Sequence, residues 1–126
     1  MDPQPRPVRA VVIDDTTDIR DLLRIVLSRR GMDVVGEAGD GRAGLEVVAE
    51  HRPDVVLLDL SMPEMDGMEA LPQLRELVPD AQIIVFSAFA SALGQQVIDR
   101  GADGFLVKGT PLRQVAEYVE ERVRAA

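Results

Sequence analysis

The sequence predicts a doubly wound α/β domain, a five-stranded parallel sheet covered by helices on both faces. Five short apolar runs alternate along the chain with five amphipathic stretches. The runs are nearly continuous in Val, Ile and Leu, as strands buried on both faces should be. Between them the apolar residues recur at helical spacing. Strand then helix, five times over, requires a parallel sheet with crossover helices.

The first strand is expected over residues 8–13. In the first helix Ile19, Leu22, Leu23, Val26 and Leu27 fall at i, i+3, i+4, i+7 and i+8, one continuous stripe. A second strand is expected over 33–37, followed by a helix capped by Asp40. That helix ends near His51, where an imidazole would complement the helix dipole. The third strand is expected over 54–58. The third helix contains Pro72, which lacks an amide proton and crowds the preceding turn, so a kink or an irregular start is expected. The fourth strand covers 81–86, and the helix after it, around 91–100, has the weakest signal, with Gly94 inside a short stripe of Leu93, Val97 and Ile98. The fifth strand covers 104–107. Leu112, Val115, Ala116, Val119 and Val123 then form the last helical stripe, behind Pro111, which suits a first turn.

The 126 residues make one domain. Residues 1–7, with three prolines, read as a flexible lead-in and 8–126 as the domain. Apolar residues make up 46% of the chain, enough for a core, so disorder is excluded. Without cysteine there is neither a disulfide nor a thiolate metal site, and one histidine cannot build a zinc site. A net charge of −8 disfavours direct nucleic-acid binding. No run approaches the roughly 18 apolar residues of a membrane span, and the N-terminus lacks the apolar stretch of a signal peptide. A soluble cytoplasmic protein is expected.

The chemistry-bearing residues sit where the strands stop. The first run ends in Asp14-Asp15, the third in Asp59, the fourth in Ser87 and the fifth in Lys108. Open parallel sheets bind ligands beyond the carboxyl ends of their strands, where the strand order reverses. In a flavodoxin-like 2-1-3-4-5 order, strands one and three flank that point, and three carboxylates converge. Such carboxylates repel one another unless a cation joins them. All-oxygen donors select a hard divalent ion, and Mg2+ suits a small, partly hydrated site with phosphate oxygens. A carboxylate nucleophile, a metal, a lysine and a hydroxyl are the parts that phosphoryl transfer needs. Taken singly, each residue reads as a turn, a cap or a surface charge. All five at successive strand ends do not.

These residues resemble the receiver domains of two-component response regulators over 8–124. The resemblance rests on Asp14-Asp15, on Asp59-Leu-Ser-Met-Pro-Glu-Met-Asp66-Gly67, on Ser87-Ala88, and on Gly101-Ala-Asp-Gly-Phe-Leu-Val-Lys108. It implies that Asp59 accepts a phosphoryl group. Asp15 would bind Mg2+ directly, Asp14 mainly through water, and Asp59 and the Ser61 backbone carbonyl would complete the set. Lys108 would pair with phosphoryl oxygens, Ser87 would move to hydrogen-bond them, and Phe105 would follow inward. The implied donor is a phosphohistidine on a histidine kinase or phosphotransfer protein. Receivers of this kind signal without turnover on an external substrate, through the surface of helix four, strand five and helix five. A homodimer or a downstream output domain would be the further partner. Lys108-Gly-Thr-Pro111 departs from the common Lys-Pro order and resembles receivers joined to LuxR/NarL-type helix-turn-helix domains, which would begin about where this chain stops. Phe89, two residues beyond Ser87, is expected to border the approach to the phosphoryl group.

Gly39-Asp-Gly41-Arg-Ala-Gly44 offers a rival reading. It spells the dinucleotide-binding fingerprint, and Asp59 lies 20 residues past Gly39, as that motif asks. A stand-alone Rossmann-type nucleotide sensor would use these glycines, but it leaves Asp14-Asp15, Ser87 and Lys108 unexplained. The alternative is that Gly39 and Gly41 make a turn and Gly44 packs on the sheet. Lys108-Gly109-Thr110 reverses the P-loop order, the Asp-x-Asp of aspartyl-phosphate phosphatases is missing, and no nucleophile elbow is present. Arg20, Arg24, Arg29 and Arg30 are expected to form a solvated helix face.

Overall fold

The computed structural model describes residues 6–62 and 65–125. Most of the expected lead-in, and Pro63 and Glu64 of the motif after Asp59, lie outside the described residues. Five strands alternate with five helices: β1 (Arg9–Ile13), α1 (Thr17–Ser28), β2 (Asp33–Ala38), α2 (Gly41–His51), β3 (Val55–Leu58), α3 (Gly67–Leu77), β4 (Gln82–Ser87), α4 (Ala90–Asp99), β5 (Gly104–Val107) and α5 (Leu112–Ala125). All strand pairs are parallel and the order is β2-β1-β3-β4-β5, as the sequence predicts.

The two-residue period of the strands divides the core. Val11, Ile13, Val56, Leu58, Ile83 and Val85 face one layer, with Val48 of α2, Leu71 and Leu74 of α3 and Val97 of α4. Ala10, Val12, Val55, Leu57, Ile84 and Phe86 face the other, with Leu23 and Leu27 of α1 and Val115 and Val119 of α5. Burying each large aliphatic side chain is worth about 1.5–3 kcal/mol, so these two layers carry the fold.

The helix stripes face the sheet except at Leu22 of α1 and Ile98 of α4, which the sequence places in the stripes but which are exposed. Asp40 caps α2 by accepting from the Ala43 N–H at 2.8 Å. Of the two outcomes expected at Pro72, the irregular start is corrected: Asp66 caps α3, accepting from the Glu69 N–H at 2.9 Å, and the helix runs on through Pro72. The missing Pro72 amide leaves the Met68 carbonyl without its usual donor, and Arg100 Nη1 donates to that carbonyl at 3.4 Å.

Gly67, the first residue of α3, closes the β3–α3 loop. Its N–H donates to the Leu60 carbonyl at 3.0 Å. A β-carbon there would run into the Asp59 carbonyl oxygen and lie 2.7 Å from Leu60 Cα. Backbone atoms cannot rotate away as a side-chain tip can, so Gly67→Ala should lower stability by about 1–3 kcal/mol, as overpacking does. Urea unfolding should show a lower midpoint at unchanged slope, and an unchanged midpoint would refute the close approach.

Candidate functional site

The register of the central strands brings the acidic residues level. Ile13 pairs with Leu58, so Asp14 and Asp59 leave neighbouring strands side by side. The Asp59 N–H donates to the Ile13 carbonyl at 2.9 Å, and the Asp14 N–H to Ala38 at 2.9 Å. Carboxylate oxygens of Asp14, Asp15 and Asp59 all lie within 4.8 Å of one another. Asp14 and Asp59 are buried at 2% and 4% exposure, whereas Asp15 is exposed.

Lys108, one residue past β5, reaches back across β4. Its Nζ lies 2.8 Å from Asp14 Oδ2 and 3.2 Å from Asp59 Oδ2. One cation therefore bridges two buried anions. Burial holds the Asp59 carboxyl above its ordinary range, with the Asp14 charge adding to the rise and Lys108 opposing both. Burial is also the largest influence on Lys108 and pulls its pKa down. The hydrogen bond to Asp14 and the charges of Asp59 and Asp14 together outweigh it, and the net direction is upward.

Hydrogen bonds distinguish the three carboxylates. Asp14 Oδ1 accepts from the Thr16 N–H at 2.9 Å while its Oδ2 holds Lys108. Among the described residues Asp15 has a single 3.4 Å contact, from the Thr16 hydroxyl. Asp59 Oδ1 faces the Ser61 N–H at 3.4 Å. The donor set is all oxygen and partly solvated, which fits Mg2+ and no soft metal.

Ser87 ends β4 fully buried, and its Oγ accepts from the Phe89 N–H at 3.3 Å. Among the described residues its hydroxyl donates to nothing. Phe89 is 55% exposed and stands at the N-cap of α4. It lines a cleft with Leu60, Ser61, Met62, Asp66, Met68 and Leu93. Phe105 is 37% exposed, and its ring lies across α4 at Gly94, where a β-carbon would sit 2.5 Å from Phe105 Cζ. The glycine that weakened the helical signal of α4 is the space this ring occupies.

The glycine fingerprint has a different use here. The Gly41 N–H at the start of α2 donates to the Met65 carbonyl at 2.9 Å, so the amide that would meet a pyrophosphate is taken by the β3–α3 loop. Gly44 packs beneath Ile13. The dinucleotide motif also needs its glycine strand beside the strand bearing the acidic residue, and here β1 lies between β2 and β3.

The arginines expected on a solvated face divide. Arg24 and Arg29 are exposed, but Arg20 is largely covered and pairs, with Arg24, with Glu37 of β2. Arg30, just past α1, pairs with Glu117 and Glu120 of α5 at 3.1 Å each. Their partners lie on other elements, out of reach of a helical-wheel argument.

A family model described as the response regulator receiver domain matches residues 10–120. The chain is similar to the chemotaxis protein CheY of Thermotoga maritima, at 36% identity over 90% of this chain and 95% of that one. It is 40% identical to the probable transcriptional regulatory protein NarL of Mycobacterium tuberculosis over 93% of this chain, and spans only 55% of that relative. Among solved structures, the signal receiver domain of NarL from Mycobacterium tuberculosis superposes with a TM-score of 0.88 at 35% identity, covering 97% of this chain and all of that one. A chain of the CheX–CheY–BeF3–Mg2+ complex from Borrelia burgdorferi gives 0.87 at 27% identity, covering 92% of this chain and 89% of that one.

Two buried carboxylates share one lysine, which does not compensate both fully. Because the folded-state pKa of Asp59 is raised, its contribution favours folding below its unfolded pKa and is lost as pH rises through the raised value. An Asp59 that ionises inside the fold therefore destabilises the domain. Asp59→Asn should raise the melting midpoint in chelator at pH 7 by a few degrees, at about 4 °C per kcal/mol for a domain of this size. Lys108 keeps Asp14 as its partner. The gain should shrink as pH falls into the carboxylate range, and a variant melting lower than wild type at pH 7 would contradict this.

Proposed function

The chain belongs to the response regulator receiver family, and on that premise we propose that it is a phosphoacceptor switch whose nucleophile is Asp59. The observation that carries this reading is the set of Asp14, Asp15 and Asp59 at the ends of the neighbouring strands β1 and β3, with Lys108 bridging the two buried carboxylates.

In the proposed reaction an Asp59 oxygen attacks phosphorus, the P–N bond of a partner's phosphohistidine breaks, and the departing imidazole nitrogen takes a proton. An acyl phosphate forms on Asp59. Lys108 leaves its carboxylate partner to meet the incoming phosphoryl oxygens as a point charge. Asp15, with Asp14 through water and the Ser61 carbonyl, would hold Mg2+. That ion supplies neutralisation of phosphoryl charge and a template for in-line geometry. The Ser87 hydroxyl, which donates to nothing among the described residues, would gain a phosphoryl oxygen as acceptor. Phe105 would then turn inward from its exposed place on Gly94, and the surface of α4, β5 and α5 would change. A few kcal/mol of differential contact suffices to shift such a two-state equilibrium. The reading includes no turnover on an external substrate.

Incubation with acetyl phosphate and Mg2+ should add one phosphoryl group by intact mass, and Asp59→Asn should abolish the addition. Undiminished labelling of that variant would overturn the assignment.

Phe89 bears on how long the group persists. Hydrolysis needs a water in line with the P–O bond, held by a polar neighbour. Phe89 borders the cleft beside Ser61, and an aromatic ring covers an approach without orienting a water. Slow loss of the phosphoryl group is expected. After removal of donor, Phe89→Ala should lose it several-fold faster in Mg2+. Equal rates would show that Phe89 does not guard the site.

A further inference from the structure

Arg20 lies one turn into α1, and its side chain folds back towards the site and is only 19% exposed. Nη1 donates to the Asp14 backbone carbonyl at 2.5 Å, and Nη2 to the Thr17 hydroxyl at 3.2 Å. Nε pairs with Glu37 Oε1 at 3.3 Å, and Arg24 holds the other carboxylate oxygen. The guanidinium thus ties the end of β1, the start of α1 and the end of β2.

On the side-chain side the loop it grips is fixed by the Thr16 N–H, which donates to Asp14 Oδ1 at 2.9 Å, and its Asp15 carboxylate is left to the main-chain direction. Thr16 at the N-cap of α1 makes no side-chain capping hydrogen bond. Asp15, between Asp14 and Thr16, is exposed, with only the long contact from the Thr16 hydroxyl. The peptide joining Asp14 to Asp15 begins at the carbonyl that Arg20 holds, so fixing that carbonyl fixes the direction in which the Asp15 side chain leaves the loop.

We infer that Arg20, set by Glu37, is a positioning residue for the cation site: it orients the Asp14–Asp15 peptide so that the Asp15 carboxylate meets a divalent ion. The inference rests on the function proposed above. Glu37 has two tasks in it. It fixes the guanidinium through Nε, and it balances a positive charge that would otherwise compete with the ion for the carboxylates. Only a planar fork can serve a carbonyl, a hydroxyl and a carboxylate at once, so lysine is a poor substitute. Partners that orient a metal ligand contribute about 10–100-fold to metal affinity.

The test is Mg2+ binding by calorimetry on the full chain, alongside acetyl-phosphate labelling across a Mg2+ titration. Arg20→Gln should weaken Mg2+ binding by about tenfold. Its labelling rate should fall at low Mg2+ and recover at saturating Mg2+, because the nucleophile and Lys108 are untouched. Arg20→Lys should recover only part of the affinity. Glu37→Gln keeps both side chains in place and should weaken binding several-fold, so it tests the idea even if Arg20→Gln unfolds. A role in folding alone would lower the melting midpoint and leave the Mg2+ dependence of labelling unmoved. Wild-type Mg2+ affinity in both Arg20→Gln and Glu37→Gln overturns the inference. Failure of the wild-type chain itself to bind Mg2+ or to be labelled overturns the function beneath it.

Discussion

Two carboxylates buried side by side with one lysine between them are the constraint on which the rest of this structure depends. Asp14 and Asp59 are both almost fully buried, and Lys108 touches both. Taking anions out of water is costly, and one ammonium cannot compensate two of them fully. The rise in the Asp59 pKa is that residual cost expressed as proton affinity. A fold selected only for stability would dispose of one of these acids. Keeping both leaves the site with an uncompensated demand for positive charge, the property a cation-dependent phosphoacceptor uses.

Holding like charges together requires a rigid frame, and backbone contacts supply it. The β1–β3 register sets Asp14 and Asp59 level, and the Asp59 amide is tied to Ile13. Behind them the β3–α3 loop folds over at Gly67, where nothing larger than hydrogen fits against the Asp59 carbonyl. The same loop reaches the start of α2, where Met65 accepts from Gly41. Each of these contacts removes a way for the acids to separate. Side-chain repulsion thus acts on main-chain atoms already fixed by sheet and helix hydrogen bonds.

The acidic frame was legible in the sequence because its information is local. Asp14, Asp59, Ser87 and Lys108 each end an apolar run, and periodicity places such runs in a sheet without knowledge of partners. What escaped is pairing between segments distant in sequence. The wheel that puts Leu23 and Leu27 inward puts Arg20 outward, and nothing local shows that Glu37 of another strand waits for it. Pro72 seemed a fault in α3 because the compensating donor, Arg100, lies 28 residues away. Gly94 seemed a weakness in α4 until Phe105 of the next strand filled its place. Local rules are strong for elements and weak for the contacts that excuse exceptions to them.

One helix, α4, carries more than one such exception. The first turn of α4 has no side-chain cap: Phe89 occupies the N-cap with an aromatic ring, and Gly94 interrupts the middle. Among the described residues its start meets the rest of the molecule through the Phe89 N–H on Ser87 Oγ, the buried Ala90 and the Phe105 ring on Gly94. A helix start without a side-chain cap costs less to displace than a capped one, since elements that move are drawn from the less stable parts of a fold. On the proposed function, a phosphoryl oxygen would draw on the same Ser87 hydroxyl that now meets Phe89, and Phe105 would leave Gly94 as it turned. Both movements would act on α4 at points where it meets the rest of the fold. The features that make this helix read poorly as a helix are those that would let a charge placed on Asp59 be felt along its length.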